Sequence, residues 1–118
     1  MNNTCIGKVD FDKENVNYVY ILVRKDLSKE QQGVQAVHAG MASVNEHKGL
    51  KNDTRLVLLS VENESDLLRW KEKTFYKDIK HEIFYEPDHG IGWSALATAP
   101  ISRKEGKLFK KLSKWSLS

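Results

Sequence analysis

A chain of 118 residues, 40% apolar and 30% charged, has room for one packed core and not for two. Its formal charge of +3 is uneven: residues 103–118 hold six Lys or Arg against one Glu, a net of +5, which leaves −2 for residues 1–102. No apolar run is long enough to span a bilayer, no secretory signal pattern opens the chain, and a single cysteine, Cys5, excludes an internal disulfide and a cysteine-based metal centre, so the expectation is a cytoplasmic protein.

Residues 1–17 are polar and mixed, and read as a tail or edge segment ahead of one domain over residues 18–118. The apolar run Tyr18 to Val23 is aromatic and β-branched, as expected of a strand covered on both faces, with Arg24 at its end. Ser28 then opens a helix: its hydroxyl can accept the Gln31 amide, and the Gln31 side chain can reach back to the Ser28 amide. Gln32 stands where a hydrophobic staple would need an apolar partner for Leu27. Val34, Val37, Met41 and Val44 recur at helical spacing and are expected to face the sheet. His47-Lys48-Gly49 ends the helix with cations ahead of a glycine.

Asn45 to Thr54 reads as a loop, and Arg55 to Ser60 as a second, interior strand. A second helix runs from Glu62 to Thr74, capped by Asn63, with Asp66 in its first turn and Trp70 as its core anchor. Lys80 to Glu86 is a third strand, with Ile83 and Tyr85 on one face and Phe84 on the other. Pro87-Asp88-His89-Gly90 breaks it. Trp93 to Thr98 is a fourth strand, whose small residues Ala95, Ala97 and Ala99 permit close approach by a helix or a ligand. Pro100 ends that strand. A second capping box, Ser102 with Glu105, opens a last helix with Leu108, Phe109 and Leu112 inward, and Trp115 with Leu117 forms a final short strand or packed tail. The sum is an α/β single domain: a mixed four- or five-stranded β-sheet with helices on its faces.

Two clusters stand out. Gln31, Gln35 and His38 fall close together in angle on the first helix, offering two amides and an imidazole without a fixed charge. A lone histidine beside an apolar stripe is more often a packing residue. Asp88 follows the end of a strand, where α/β proteins concentrate their sites, and Ser94 lies close in sequence. The bland alternative is a solvated turn. No Gly-x-Ser-x-Gly elbow surrounds Ser94, so it is not assigned as a covalent nucleophile. The histidines His38, His47, His81 and His89 lack metal-ligand spacing. The C-terminal cations Arg103, Lys104, Lys107, Lys110 and Lys111, with Arg24, Lys25 and Lys29 at the strand-to-helix mouth, point to a polyanion; otherwise they solvate the last element.

Val23-Arg24-Lys25-Asp26-Leu27, then Gln35-Ala36-Val37-His38-Ala39, then Asp88-His89-Gly90, Ser94 and Ala95-Leu96-Ala97-Thr98-Ala99-Pro100, closing on Lys111-Leu112-Ser113-Lys114-Trp115, resembles the type 2, archaeal and eukaryotic kind of peptidyl-tRNA hydrolase. The likeness runs in order from residue 18 to about 117. It implies a single α/β domain without cofactor that cleaves the ester joining a peptide to tRNA released early from the ribosome, often as a homodimer. It carries over Asp26, Gln35, His38, Asp88 and Gly90. The family's helix-start lysine, thought to be catalytic, is replaced here by Gln31, and its threonine by Ser94. The resemblance thus implies His38, Asp88, Ser94 and Gln31 as catalytic groups, with Lys29 as another source of positive charge. Arg24, Lys25, Gln35 and the C-terminal cations would hold tRNA. The alternatives are a non-catalytic RNA-binding or protein-interaction domain of the same fold, or a hydrolase of another tRNA ester such as a D-aminoacyl-tRNA.

Overall fold

The computed structural model describes residues 16–49, 51 and 53–116. Most of the expected tail, Cys5 and Leu117 lie outside them. Five strands form one mixed sheet in the order β3-β4-β1-β2-β5. The elements are β1 (Tyr18–Arg24), α1 (Lys29–Glu46), β2 (Arg55–Val61), α2 (Glu64–Tyr76), β3 (His81–Glu86), β4 (Gly92–Thr98) and β5 (Ser113–Lys114), with 3-10 turns at Asp88–Gly90 and Glu105–Phe109. β1 and β2 are parallel through seven registered pairs, Tyr18 with Arg55 to Arg24 with Val61, while β4 is antiparallel to both β1 and β3. The carboxyl ends of β1, β2 and β3 and the start of β4 therefore share one edge.

The alternation of β1 divides the core. Tyr20 and Leu22 join Leu59, Val61, Leu67, Trp70, Leu96 and Phe109 on one face, under α2 and the Glu105–Phe109 turn. Val19, Ile21 and Val23 join Ala36, Ala39, Ala95 and Ala97 on the other, under α1. Residue 16 belongs to the fold rather than to a tail, because Val16 is buried, and the Asn17 carbonyl accepts the Arg55 amide, extending the β1–β2 ladder.

The expected inward face of α1 is overturned. Val37 and Met41 are 60% and 65% exposed, and Val34 and Val44 are also exposed; the buried residues are Gln32, Gln35, Ala36, Ala39 and Ser43. Small residues win this face because the sheet beneath it is small too, at Ala95 and Ala97, and the helix settles close enough that a Cβ on Gly40 would touch Ile21 at 3.5 Å. A valine or methionine turned inward would hold the helix away from the sheet. The polar residues that go inward are satisfied. Gln32 donates to the Lys25 and Leu27 carbonyls at 3.2 and 2.7 Å and accepts from the Trp115 indole at 2.6 Å, and the Ser43 hydroxyl donates to the Thr98 carbonyl at 2.7 Å. Gln32 thus ties Leu27 by its backbone, in place of the missing apolar staple.

The caps at Ser28 and Asn63 form: Ser28 accepts the Gln31 amide at 3.1 Å, and Asn63 accepts the Asp66 amide at 3.0 Å. The reciprocal half of the first box does not, since the Gln31 side chain turns to Gln35 instead. The last helix is a 3-10 turn rather than an α-helix, although both halves of its capping box, Ser102 with Glu105, are made. Gly106 explains its tightness: the turn presses so closely on the Tyr20 ring that a Cβ there would overlap it. β5 follows, and the Trp115 amide continues the pairing to the Leu58 carbonyl at 3.0 Å.

Candidate functional site

The site forms at the shared strand edge, where α1 meets β3 and β4. Its centre is Gln35, fully buried, which uses every polar atom of its amide. Its nitrogen donates to Gln31 Oε1 at 3.1 Å and to Glu86 Oε1 at 2.8 Å, and its oxygen accepts the Ser94 hydroxyl at 2.7 Å. Ser94 reaches it through a β-bulge. Phe84 pairs with Ala95 but Tyr85 pairs with Trp93, so Ser94 is skipped by the ladder and turns toward α1. Burial and this hydrogen bond make Ser94 a support for Gln35, not a group that meets a ligand.

One turn along the helix, the exposed His38 ring lies flat on Phe84, with centroids 4.4 Å apart and planes within 2°. Glu86 stands between these groups. Its second carboxylate oxygen accepts the Asp88 amide at 3.2 Å. The Gln35 amide chiefly, then the Asp88 N–H, hold the Glu86 carboxyl below the usual range; partial desolvation opposes them, and His38 and His89 add a small pull in the same direction. Glu86 and Phe84 are the members that sequence reasoning missed. The available signal was the position of Glu86, the last residue of a strand at the carboxyl edge.

Asp88 sits exposed in the turn that follows, beside His89 at φ 59°, an uncommon left-handed conformation for a residue with a side chain. The turn is clamped from two sides. Buried Arg24 grips Asp26 with two nitrogens at 3.0 and 2.9 Å, and its third donates to the Ile91 and Trp93 carbonyls. Glu64, at the start of α2, accepts the Trp93 amide at 2.9 Å. Its carboxylate packs over Gly92, whose φ of +78° also favours glycine.

The remaining expected residues are scattered. All three Arg24 nitrogens are engaged, so it positions the Asp88 turn rather than offering a cation to a ligand. Lys25 pairs with Glu62 at 3.0 Å. Lys29 turns away from Gln35, donating to the Ser116 carbonyl with its ammonium 5.3 Å from the centre of the Trp115 ring. Gln35 is too buried to touch tRNA itself. Arg103, Lys104, Lys107, Lys110 and Lys111 are exposed, but their turn covers the sheet face opposite α1. Among the described residues, no three His, Cys, Asp or Glu side chains group as metal ligands. No protein-family model and no curated protein sequence matches the chain.

Proposed function

We propose that this protein hydrolyses the ester bond of peptidyl-tRNA, with His38 as the group that takes the proton from water. The reading rests on the sequence resemblance, and one observation carries it further: the buried Gln35 node ties Gln31, Glu86 and Ser94 into a fixed frame beside an exposed imidazole. An ester is activated, so the chemistry requires a proton acceptor for water and a donor for the carbonyl oxygen as it gains charge. An imidazole suits the first task near neutral pH. Gln31 suits the second: with its oxygen held by Gln35, its NH2 group is left for a ligand oxygen. It is a neutral and weaker donor than a lysine, and Lys29, held at Trp115, does not replace one. Asp88, exposed one turn beyond β3, can orient the water or the imidazole.

The test is incubation with N-blocked aminoacyl-tRNA, plain aminoacyl-tRNA and a D-aminoacyl-tRNA, following free tRNA. His38→Ala and Asp88→Asn lose ~10²-fold or more in rate, the size expected for a positioned proton-transfer or electrostatic group. Gln31→Lys keeps or raises the rate. No release above the uncatalysed background from folded, tRNA-binding protein sinks the hydrolase reading and leaves an RNA-binding module. Preference for the D-aminoacyl ester reassigns the substrate.

We also propose that the protein pairs as a homodimer through the bare face of α1. Val37, Met41 and Val44 border an apolar trough of about 1010 Å³ floored by Val19, Ile21, Leu56 and Leu58, where no second helix among the described residues covers the sheet. An apolar helix stripe beside an apolar trough is self-complementary about a two-fold axis. Light scattering checks this: wild type at the dimer mass and Met41→Glu at the monomer mass support it, and a wild-type monomer at ~100 µM rejects it.

A further inference from the structure

The cations of the last segment do more than add charge. Arg103, Lys107, Lys110 and Lys114 ring a hollow of about 460 Å³ whose floor is Tyr20, Val57, Leu59, Phe109 and Leu112. Among the described residues none of these four cations has an ion-pair partner, and the nearest acid in sequence, Glu105, is held by Ser102. A merely solvated face would mix its signs. The 3-10 geometry sharpens the arrangement. With three residues per turn and about 2 Å of rise per residue, positions three apart lie one above another. Lys104, Lys107 and Lys110 are joined by successive i to i+3 backbone bonds of 3.3 and 3.2 Å, and so form one column at a spacing of roughly 6 Å. An α-helix would have fanned them around its surface. The column and hollow lie on the Tyr20 face of the sheet and toward β2 and β5, whereas Gln35 and His38 lie on the opposite face, toward β3 and β4.

We infer that this cation-ringed hollow is a second nucleic-acid site, which grips the phosphate backbone of duplex RNA at a distance from the ester-cleaving end. The inference rests on the peptidyl-tRNA reading for its ligand but not on hydrolysis. A column of separate ammonium groups offers point charges to successive phosphates without reading bases. A-form RNA suits it, because proteins hold such duplexes by shape and backbone contacts. Placed behind the sheet from His38, the site contributes affinity and orientation of the stem, not chemistry.

The experiment uses the full chain with a 12-base-pair RNA duplex and deacylated tRNA over 50–200 mM salt. With about four phosphates neutralised, the logarithm of affinity should fall with that of salt at a slope between about −3 and −4. Lys107→Glu/Lys110→Glu should weaken binding at least tenfold and flatten the slope by about two, and Lys107→Gln/Lys110→Gln should do so less steeply. Lys48→Glu, a charge reversal at a residue that does not line the hollow, should leave affinity unchanged. Circular dichroism verifies that each variant is folded. Wild-type affinity and slope in the double charge reversal overturn the inference, as does an equal loss in Lys48→Glu. So does displacement of duplex by low-millimolar inorganic phosphate, which marks a free-anion site. Duplex binding that depends on Lys107 and Lys110 without ester cleavage would sustain this site and sink the hydrolase. Cleavage with duplex binding indifferent to these lysines would do the reverse.

Discussion

Replacing Gln35 by leucine tests the node on which the candidate site hangs. Leucine is close to glutamine in size, so the volume filled beneath α1 is largely kept while three hydrogen bonds are lost. Two of the former partners, Gln31 and Glu86, reach water and lose little. Ser94 does not: it is fully buried, and its other acceptor among the described residues is the Phe84 carbonyl at a long 3.3 Å. A poorly satisfied buried hydroxyl costs about 1–3 kcal/mol, so Gln35→Leu should destabilise by about 1–2 kcal/mol once the added apolar burial is counted. Ser94→Ala should cost about 1 kcal/mol by orphaning the Gln35 oxygen. Removing both partners leaves neither orphaned, so Gln35→Leu/Ser94→Ala should be nearer wild type than the two single costs together, with a coupling of about 1–2 kcal/mol. Urea unfolding of the four proteins at pH 7 gives the cycle. In parallel, NMR titration of Glu86 should show its carboxyl moving up toward the usual range in Gln35→Leu, since the chief cause of its depression is gone. Single costs that add within about 0.3–0.5 kcal/mol would show that Ser94 and Gln35 do not act together and would refute the node.

Gly106→Ala should cost about 1–3 kcal/mol, because the new methyl meets the Tyr20 ring, itself packed on Phe109; unchanged thermal stability would contradict that contact. Ser28→Ala should cost about 1 kcal/mol by uncapping the Gln31 amide, and a change near zero with the helix intact would count against the Ser28 boundary. Glu86 and Asp66 both carry depressed carboxyls in the folded state; at Asp66, burial pushes upward and is outweighed by the Glu62 amide and Arg69. A depressed folded value means that the unfolded chain binds more protons in acid, so their stabilisation is present above the usual carboxylate range and is lost as pH falls through the folded values. The stability of Glu86→Gln and Asp66→Asn should therefore decline less steeply than wild type below that range, and identical acid limbs in urea midpoints would disprove the linkage.

The sheet was legible because its strands carry local signals: a covered apolar run at Tyr18, a second apolar run at Arg55, expected to be interior but left exposed over Arg55 and Leu56, a Pro-Asp-His-Gly break and capping residues at Ser28 and Asn63. What was not legible is the orientation of α1 about its own axis. The strongest apolar stripe, Val34, Val37, Met41 and Val44, suggested one rotation, and the structure takes another. Periodicity ranks faces by hydrophobicity, whereas this interface is decided by size. The clue lay in a different element, in Ala95 and Ala97, whose small side chains let a helix approach only through equally small ones. The supporting role of Ser94 was hidden for a related reason, since a bulge changes which side of a strand a residue faces without altering the pattern of residue types.

That rotation also determines what the helix can do. An apolar interface is non-directional, and a helix held by it alone can roll a few degrees at little cost. α1 is instead pinned at three levels: Gln32 to the Lys25–Leu27 loop and Trp115, Gln35 to β3 and β4, and Ser43 to Thr98. From Gln32 to Ser43 these anchors span roughly 16 Å at the rise of an α-helix. They lead to different strands and loops, so no single roll satisfies two while sparing the third. Rolling α1 to bury its valines would orphan Gln32, Gln35 and Ser43 together, each at the cost of an unpaired buried polar group. Directional bonds therefore fix the angle at which His38 and Gln31 stand over β3 and β4, as a site that must hold two groups in register requires. The consequence is the bare stripe on the opposite flank. The same choice that sets the candidate site leaves Val37 and Met41 exposed, so the site geometry and the bare apolar stripe share one cause.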